Sequence, residues 1–118
     1  MQDKDVIISE KILRYCKQIS ETHKEFNNDK NLFLDTERGF IYQNAVSMPL
    51  QQIGELAKSY SDEFIKANSG IPWKEIKGMR DYFAHDYGEM NRKEIWNSSH
   101  EGIDAIRALL EQVLKSDQ

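Results

Sequence analysis

The spacing of apolar residues limits this chain to helices: four series recur at helical intervals, and no useful stretch alternates with period two. Ile8, Ile12, Tyr15, Ile19 and Phe26 fall 4, 3, 4 and 7 apart, which predicts one helix face over about residues 4 to 27. Tyr42, Val46, Pro49, Ile53, Leu56 and Tyr60 alternate by four and three. Pro49 conflicts with that second pattern, because it removes a backbone donor and crowds the preceding turn. A kinked helix, or two helices meeting at Met48-Pro49, is therefore expected. Gly54 is a second weak point, tolerable where another helix passes close by.

Ser61 reads as the N-cap of a short turn through Ile65. Asn68-Ser69-Gly70-Ile71-Pro72 is the clearest break in the chain. Pro72 suits the first position of a third helix, where its missing donor costs nothing. That helix carries Trp73, Ile76, Tyr82 and Phe83, with Gly88 as its stop. Asn91 and Glu94 look like a capping box for a last helix, whose face is Trp96, Ser99, Ile103, Ile106, Leu110 and Val113. The expectation is all-α: an antiparallel bundle of four to five helices forming a single domain over residues 1–118.

Composition narrows the function. With one cysteine, Cys16, no internal disulfide can form and a zinc-finger arrangement is excluded. Cys16 reads as a small core residue. No apolar run approaches the roughly 20 residues that span a bilayer, and the first five residues lack the order of a signal peptide, so a cytoplasmic location is expected. Net charge is −4, which argues against a broad electrostatic grip on nucleic acid. The segment from Ile71 to Lys93 holds five basic and four acidic residues, however, so it is +1 while the remainder is −5. A local phosphate site is permitted there.

Chemistry concentrates in Arg80-Asp81-Tyr82-Phe83-Ala84-His85-Asp86-Tyr87. On a regular helix Arg80 and His85 stand about 140° apart, so they converge only if the helix ends near His85 or a second protomer completes the site. A histidine near a helix C-terminus is commonly a cap or a partner of the dipole. The same dipole favours imidazolium, and an imidazolium beside an arginine suits attack on a phosphodiester. The guanidinium would bind the non-bridging oxygens and the imidazolium would protonate the leaving 5′-oxygen. If RNA is the substrate its own 2′-hydroxyl is the nucleophile, no metal is needed, and a 2′,3′-cyclic phosphate is left.

Arg80, four residues, then His85-Asp86-Tyr87 resembles the R-x4-H-x-Y motif of the HEPN superfamily. The chain is most similar to the HepT-like toxins encoded with a minimal nucleotidyltransferase antitoxin. Ile53-Gly54-Glu55-Leu56-Ala57, Ile71-Pro72-Trp73, Ile76-Lys77-Gly78-Met79-Arg80 and Glu94-Ile95-Trp96 match that family's landmarks in order, over roughly residues 40 to 110. The resemblance implies a metal-independent, cofactor-free endoribonuclease working at a homodimer interface. Arg80 and His85 would be the catalytic pair and Asp81 would orient them. Tyr87 would receive AMP from the antitoxin, which would block RNA by charge and bulk. Two other readings stand beside it. One is a non-catalytic dimerisation or nucleotide-handling module for a nucleotidyltransferase. The other is a structural adaptor in which Arg80 and His85 pair with Asp86 or Glu89.

Among the remaining candidates, His23 and His100 read as surface or packing residues, and Trp73 and Trp96 as helix anchors. Glu55, inside an apolar run, is expected as a buried carboxylate bonding across the bundle near the motif.

Overall fold

The computed structural model describes residues 1–80 and 89–116. Helix α1, Asp3–Glu25, opens with Asp3 and Asp5 in its first turn and closes with Lys24 in its last, each sign complementing the helix dipole. Its buried line is Ile8, Ile12, Cys16 and Ile19, with Tyr15 and Phe26 half-buried beside it. A five-residue helix, α2 (Lys30–Leu34), follows, capped by the Asp29 carboxylate accepting from Leu32 N at 3.1 Å. Helix α3 is Phe40–Ala57, α4 is Asp62–Ala67 and α5 is Trp73–Gly78. Helix α6, Glu89–Asn97, runs through a π turn, Ser98–Gly102, into α7, Ile103–Ser116. No strand occurs among the described residues. Helix α1 packs chiefly against α3 and α7, and α5 rests on α3.

The three long rods and the short helices between them make an all-α bundle, as the apolar spacing predicts. Of the two arrangements expected around Pro49 the structure has the single helix, and the expectations for Pro72 and Asn91 need correction. Helix α3 is one helix, with Pro49 inside it and buried. Pro49 cannot donate to the Ala45 carbonyl, and the buried Val46, Leu50 and Ile53 hold the helix to the core on both sides of the proline. Pro72 precedes α5 as its N-cap instead of occupying its first position. Asn91 lies inside α6, already helical from Glu89, so it does not begin the helix. Helix α2 answers to no expectation, because five residues are too few to display a helical period.

Ser61 caps α4 as expected, its hydroxyl accepting from Phe64 N at 3.1 Å. That hydroxyl in turn donates to Asp5 Oδ2 at 2.6 Å, and Ser61 N donates to Asp5 Oδ1 at 2.8 Å. Gln2 N completes the clamp at 3.1 Å. Burial alone would push the Asp5 carboxyl up, but these hydrogen bonds outweigh it and hold the group below its ordinary value. One fully buried carboxylate thereby ties the first turn of α1 to the start of α4.

At the other end of α1, His23 is a packing residue with fixed proton positions. Ser99 Oγ donates to Trp96 O at 2.8 Å, so it accepts from His23 Nε2–H at 2.9 Å, and His23 Nδ1 accepts from the Tyr42 hydroxyl. His100 stacks on His23 with ring centroids 3.9 Å apart, and Trp96 closes over both. Burial first, and the neighbouring His100 second, push the His23 pKa down to about 4. Its contribution to stability is therefore complete above the ordinary histidine range and is lost as pH falls from about 6.5 towards 4, because the unfolded chain takes up a proton that the folded imidazole refuses. The expected loss approaches about 3 kcal/mol. Urea unfolding at pH 7 and pH 4.5 measures it. His23→Gln should lose most of this pH dependence; an unchanged pH dependence in that variant would assign the effect elsewhere.

Candidate active site

Arg80 stands where α5 ends. Ile76 and Met79, the buried residues of this stretch, press it onto α3 and leave Arg80 facing outward. The approach of the two elements is close because residue 54 has no side chain. A Cβ at Gly54 would lie 2.7 Å from Arg80 N, 2.9 Å from Ile76 O and 3.4 Å from Arg80 Cα. The passing helix that Gly54 was expected to need is α5.

One residue further along α3, the Glu55 carboxylate approaches the Arg80 guanidinium, Oε1 to Nη1, at 3.8 Å. Glu55 corrects an expectation, for its side chain is 53 % exposed and that of Arg80 43 %. Position 55 lies two residues past buried Ile53 and so on the opposite side of the helix, although it does reach across to the motif as foreseen. An ion pair this open to water contributes little stability, on the order of 1 kcal/mol or less. It sets a carboxylate beside the guanidinium on the exposed side of α3.

Three exposed residues precede Glu55 at the other end of α3: Phe40, Ile41 and Met48, between 53 and 59 % accessible. Ile41, Met48 and Glu55 are spaced by sevens, so they form one line along the helix that starts apolar and ends at Arg80. That heptad spacing was present in the sequence, hidden behind the stronger core pattern of the same segment.

Asp81, His85 and Tyr87, together with Tyr82, Phe83 and the expected stop at Gly88, lie outside the described residues. Of the motif, the structure places Arg80. Arg92, counted among the cations of the basic segment, is buried at the side of α6 and adds nothing to an open phosphate surface. Trp73 and Trp96 are anchors: the Trp73 indole donates to Asn68 O at 2.9 Å, and Trp96 packs on Phe33, Tyr42 and His23. Cys16 is fully buried, and burial pushes its thiol up to about 12, so it is no nucleophile. Among the described residues no group of three His, Cys, Asp or Glu side chains is placed to hold a metal ion. No described helix is long and apolar enough to cross a membrane.

Comparison with known proteins gives a consistent result. A family model described as "Ribonuclease HepT-like" matches residues 10–113. A predicted RNase of Caldanaerobacter subterraneus subsp. tengcongensis is 30 % identical over 109 residues, covering 92 % of this chain and 93 % of that one. "Probable ribonuclease HepT" of Thermococcus cleftensis is 32 % identical over 73 residues, covering 62 % of this chain and 66 % of the relative. A predicted RNase of Methanocaldococcus jannaschii is 29 % identical over 100 residues, covering 80 % of each. No solved structure matches the chain. With the model spanning nearly the whole sequence and the Arg80 motif intact within it, the chain belongs to the HepT-like ribonuclease family.

Proposed function

We propose that this chain is the toxin of a toxin–antitoxin pair, an endoribonuclease that cuts RNA without a metal ion. Arg80 binds the non-bridging oxygens of the scissile phosphate, where the developing charge is greatest. The RNA 2′-hydroxyl attacks phosphorus and loses its proton to solvent. The bond to the 5′-oxygen breaks, and His85 as imidazolium protonates that oxygen. The products are a 2′,3′-cyclic phosphate and a free 5′-hydroxyl. Asp81 orients the pair.

The observation that carries this reading is the membership of residues 10–113 in a ribonuclease family with the Arg80–His85 spacing intact. The exposure of the Arg80 side chain, 43 %, supports it.

The working unit in this proposal is a homodimer. A second copy covering Phe40, Ile41 and Met48 would remove three large exposed apolar side chains from water. Following their line along α3, it would bring two Arg80 residues towards one cleft. Tyr87 is the residue through which a cognate minimal nucleotidyltransferase antitoxin silences the enzyme: an attached AMP sets phosphate charge beside the cleft and repels the RNA phosphate.

Incubating the purified dimer with labelled RNA in excess EDTA tests the chemistry. Cleavage that survives the chelator and leaves cyclic-phosphate ends is expected. Intact RNA from a folded, unmodified dimer would move the assignment to the non-catalytic nucleotidyltransferase partner module.

A further inference from the structure

Helices α1 and α3 enclose a polar groove of about 430 Å³ that is separate from the motif segment in sequence. Lys11, Arg14, Tyr15 and Gln18 line it from α1, and Gln52 and Leu56 from α3. The four α1 residues stand at i, i+3, i+4 and i+7, one continuous face of that helix. No carboxylate is among the lining residues, and among the described residues none lies within 4 Å of the Lys11 ammonium or the Arg14 guanidinium. In a chain of net charge −4, two cations collected on one groove wall without a counter-ion make a local positive track.

The track is connected to Arg80 through α3. Gln52 and Leu56, on the groove wall, bracket Glu55, whose carboxylate meets Arg80 at 3.8 Å. Gln52 precedes Glu55 by three residues, about 5 Å along the helix axis. The groove therefore opens within one helical turn of that ion pair.

We propose that this groove is a second binding site on the protein, holding the single-stranded RNA that flanks the scissile phosphate; the proposal rests on the ribonuclease reading above. Lys11 and Arg14, about 5–6 Å apart at Cβ, grip one phosphate or two neighbouring ones. The Tyr15 ring offers a stacking surface to a base, and the Gln18 and Gln52 amides meet base edges or sugar hydroxyls. Glu55 has a further role in this arrangement: at the junction of groove and Arg80 it repels strand phosphates, so a phosphate settles to one side of it, on lysine and arginine in the groove or on Arg80 beyond it.

The test uses the full chain and a fluorescent RNA oligonucleotide methylated at every 2′-oxygen, which lacks the attacking hydroxyl and cannot be cut by this chemistry. Lys11→Ala combined with Arg14→Ala should weaken binding at least tenfold and flatten its salt dependence. Lys17→Ala combined with Lys24→Ala removes the same charge from exposed α1 positions outside the groove and should change binding less than twofold. With cleavable RNA, the groove variant should lose kcat/KM through a raised KM. Equal binding by the two double variants, or no binding by the wild-type chain, overturns the groove assignment. Should the wild-type chain bind the methylated RNA with this dependence on Lys11 and Arg14 yet cleave no RNA, the ribonuclease reading fails and the groove stands.

Discussion

Replacing His85 with alanine is expected to lower RNA cleavage by at least about a thousandfold, since the leaving 5′-oxygen then departs without a proton donor. Arg80→Lys should fall nearly as far. A single ammonium restores the charge but not the planar pair of donors that spans two phosphate oxygens. Because the Arg80–Glu55 pair is open to water and lysine keeps the charge, the lysine variant should keep the wild-type melting temperature within a few degrees. Cleavage rates under single-turnover conditions, read beside thermal unfolding, separate lost chemistry from lost fold. Substantial activity in the His85→Ala variant would remove that residue from the proton-transfer role.

The second large effect is expected far from the motif in sequence. Gly54→Ala would ordinarily stabilise a helix by about 1 kcal/mol. Here the added methyl group meets Arg80 N at 2.7 Å and Ile76 O at 2.9 Å, both backbone atoms that cannot rotate away. The end of α5 must move outward, at an overpacking cost of about 1–3 kcal/mol that the helix preference partly offsets. The protein should therefore still fold. Arg80 is displaced with the backbone that carries it, and a shift approaching 1 Å in a phosphate-binding group lowers turnover by about a hundredfold. Wild-type cleavage by a folded Gly54→Ala variant would show that contact between α5 and α3 does not set the position of Arg80.

These three variants mark how far the residues alone lead. The long helices were legible because each buries a face whose period repeats over about two turns or more, as with Ile8, Ile12 and Ile19 or Ile103, Ile106 and Leu110. Ser61 was legible as a cap because its chemistry is local. Gly54 was legible as a place of close approach, but the partner was not, since nothing in a helical period names the element that crosses it. Glu55 shows the same limit. A carboxylate within an apolar run suggests burial, yet a two-residue step from Ile53 turns it to solvent, where it meets Arg80 across an interhelical gap. At the π turn Ser98–Gly102 the Trp96 carbonyl takes hydrogen bonds from the Ser99 and His100 side chains, a local exchange that apolar spacing does not display. At the candidate site, the roles given to Asp81, His85 and Tyr87 rest on motif chemistry, whereas Arg80 also has a described setting at the end of α5, against α3.

The clamp on Asp5 bears on the order in which the molecule assembles. Asp5 waits for Ser61, 56 residues later, and Ser9 waits for Tyr60, whose hydroxyl lies 2.8 Å from its own. His23 waits longer, for Ser99, 76 residues on. During synthesis α1 is complete well before any of these partners exists. Its apolar line must stay unburied until α3 and then α7 emerge. Closing such long loops precedes the contacts that reward it, which slows folding relative to helical proteins built from neighbouring hairpins. Helix α1, docked first by α3, is thus held at its His23 end only once Ser99 has emerged.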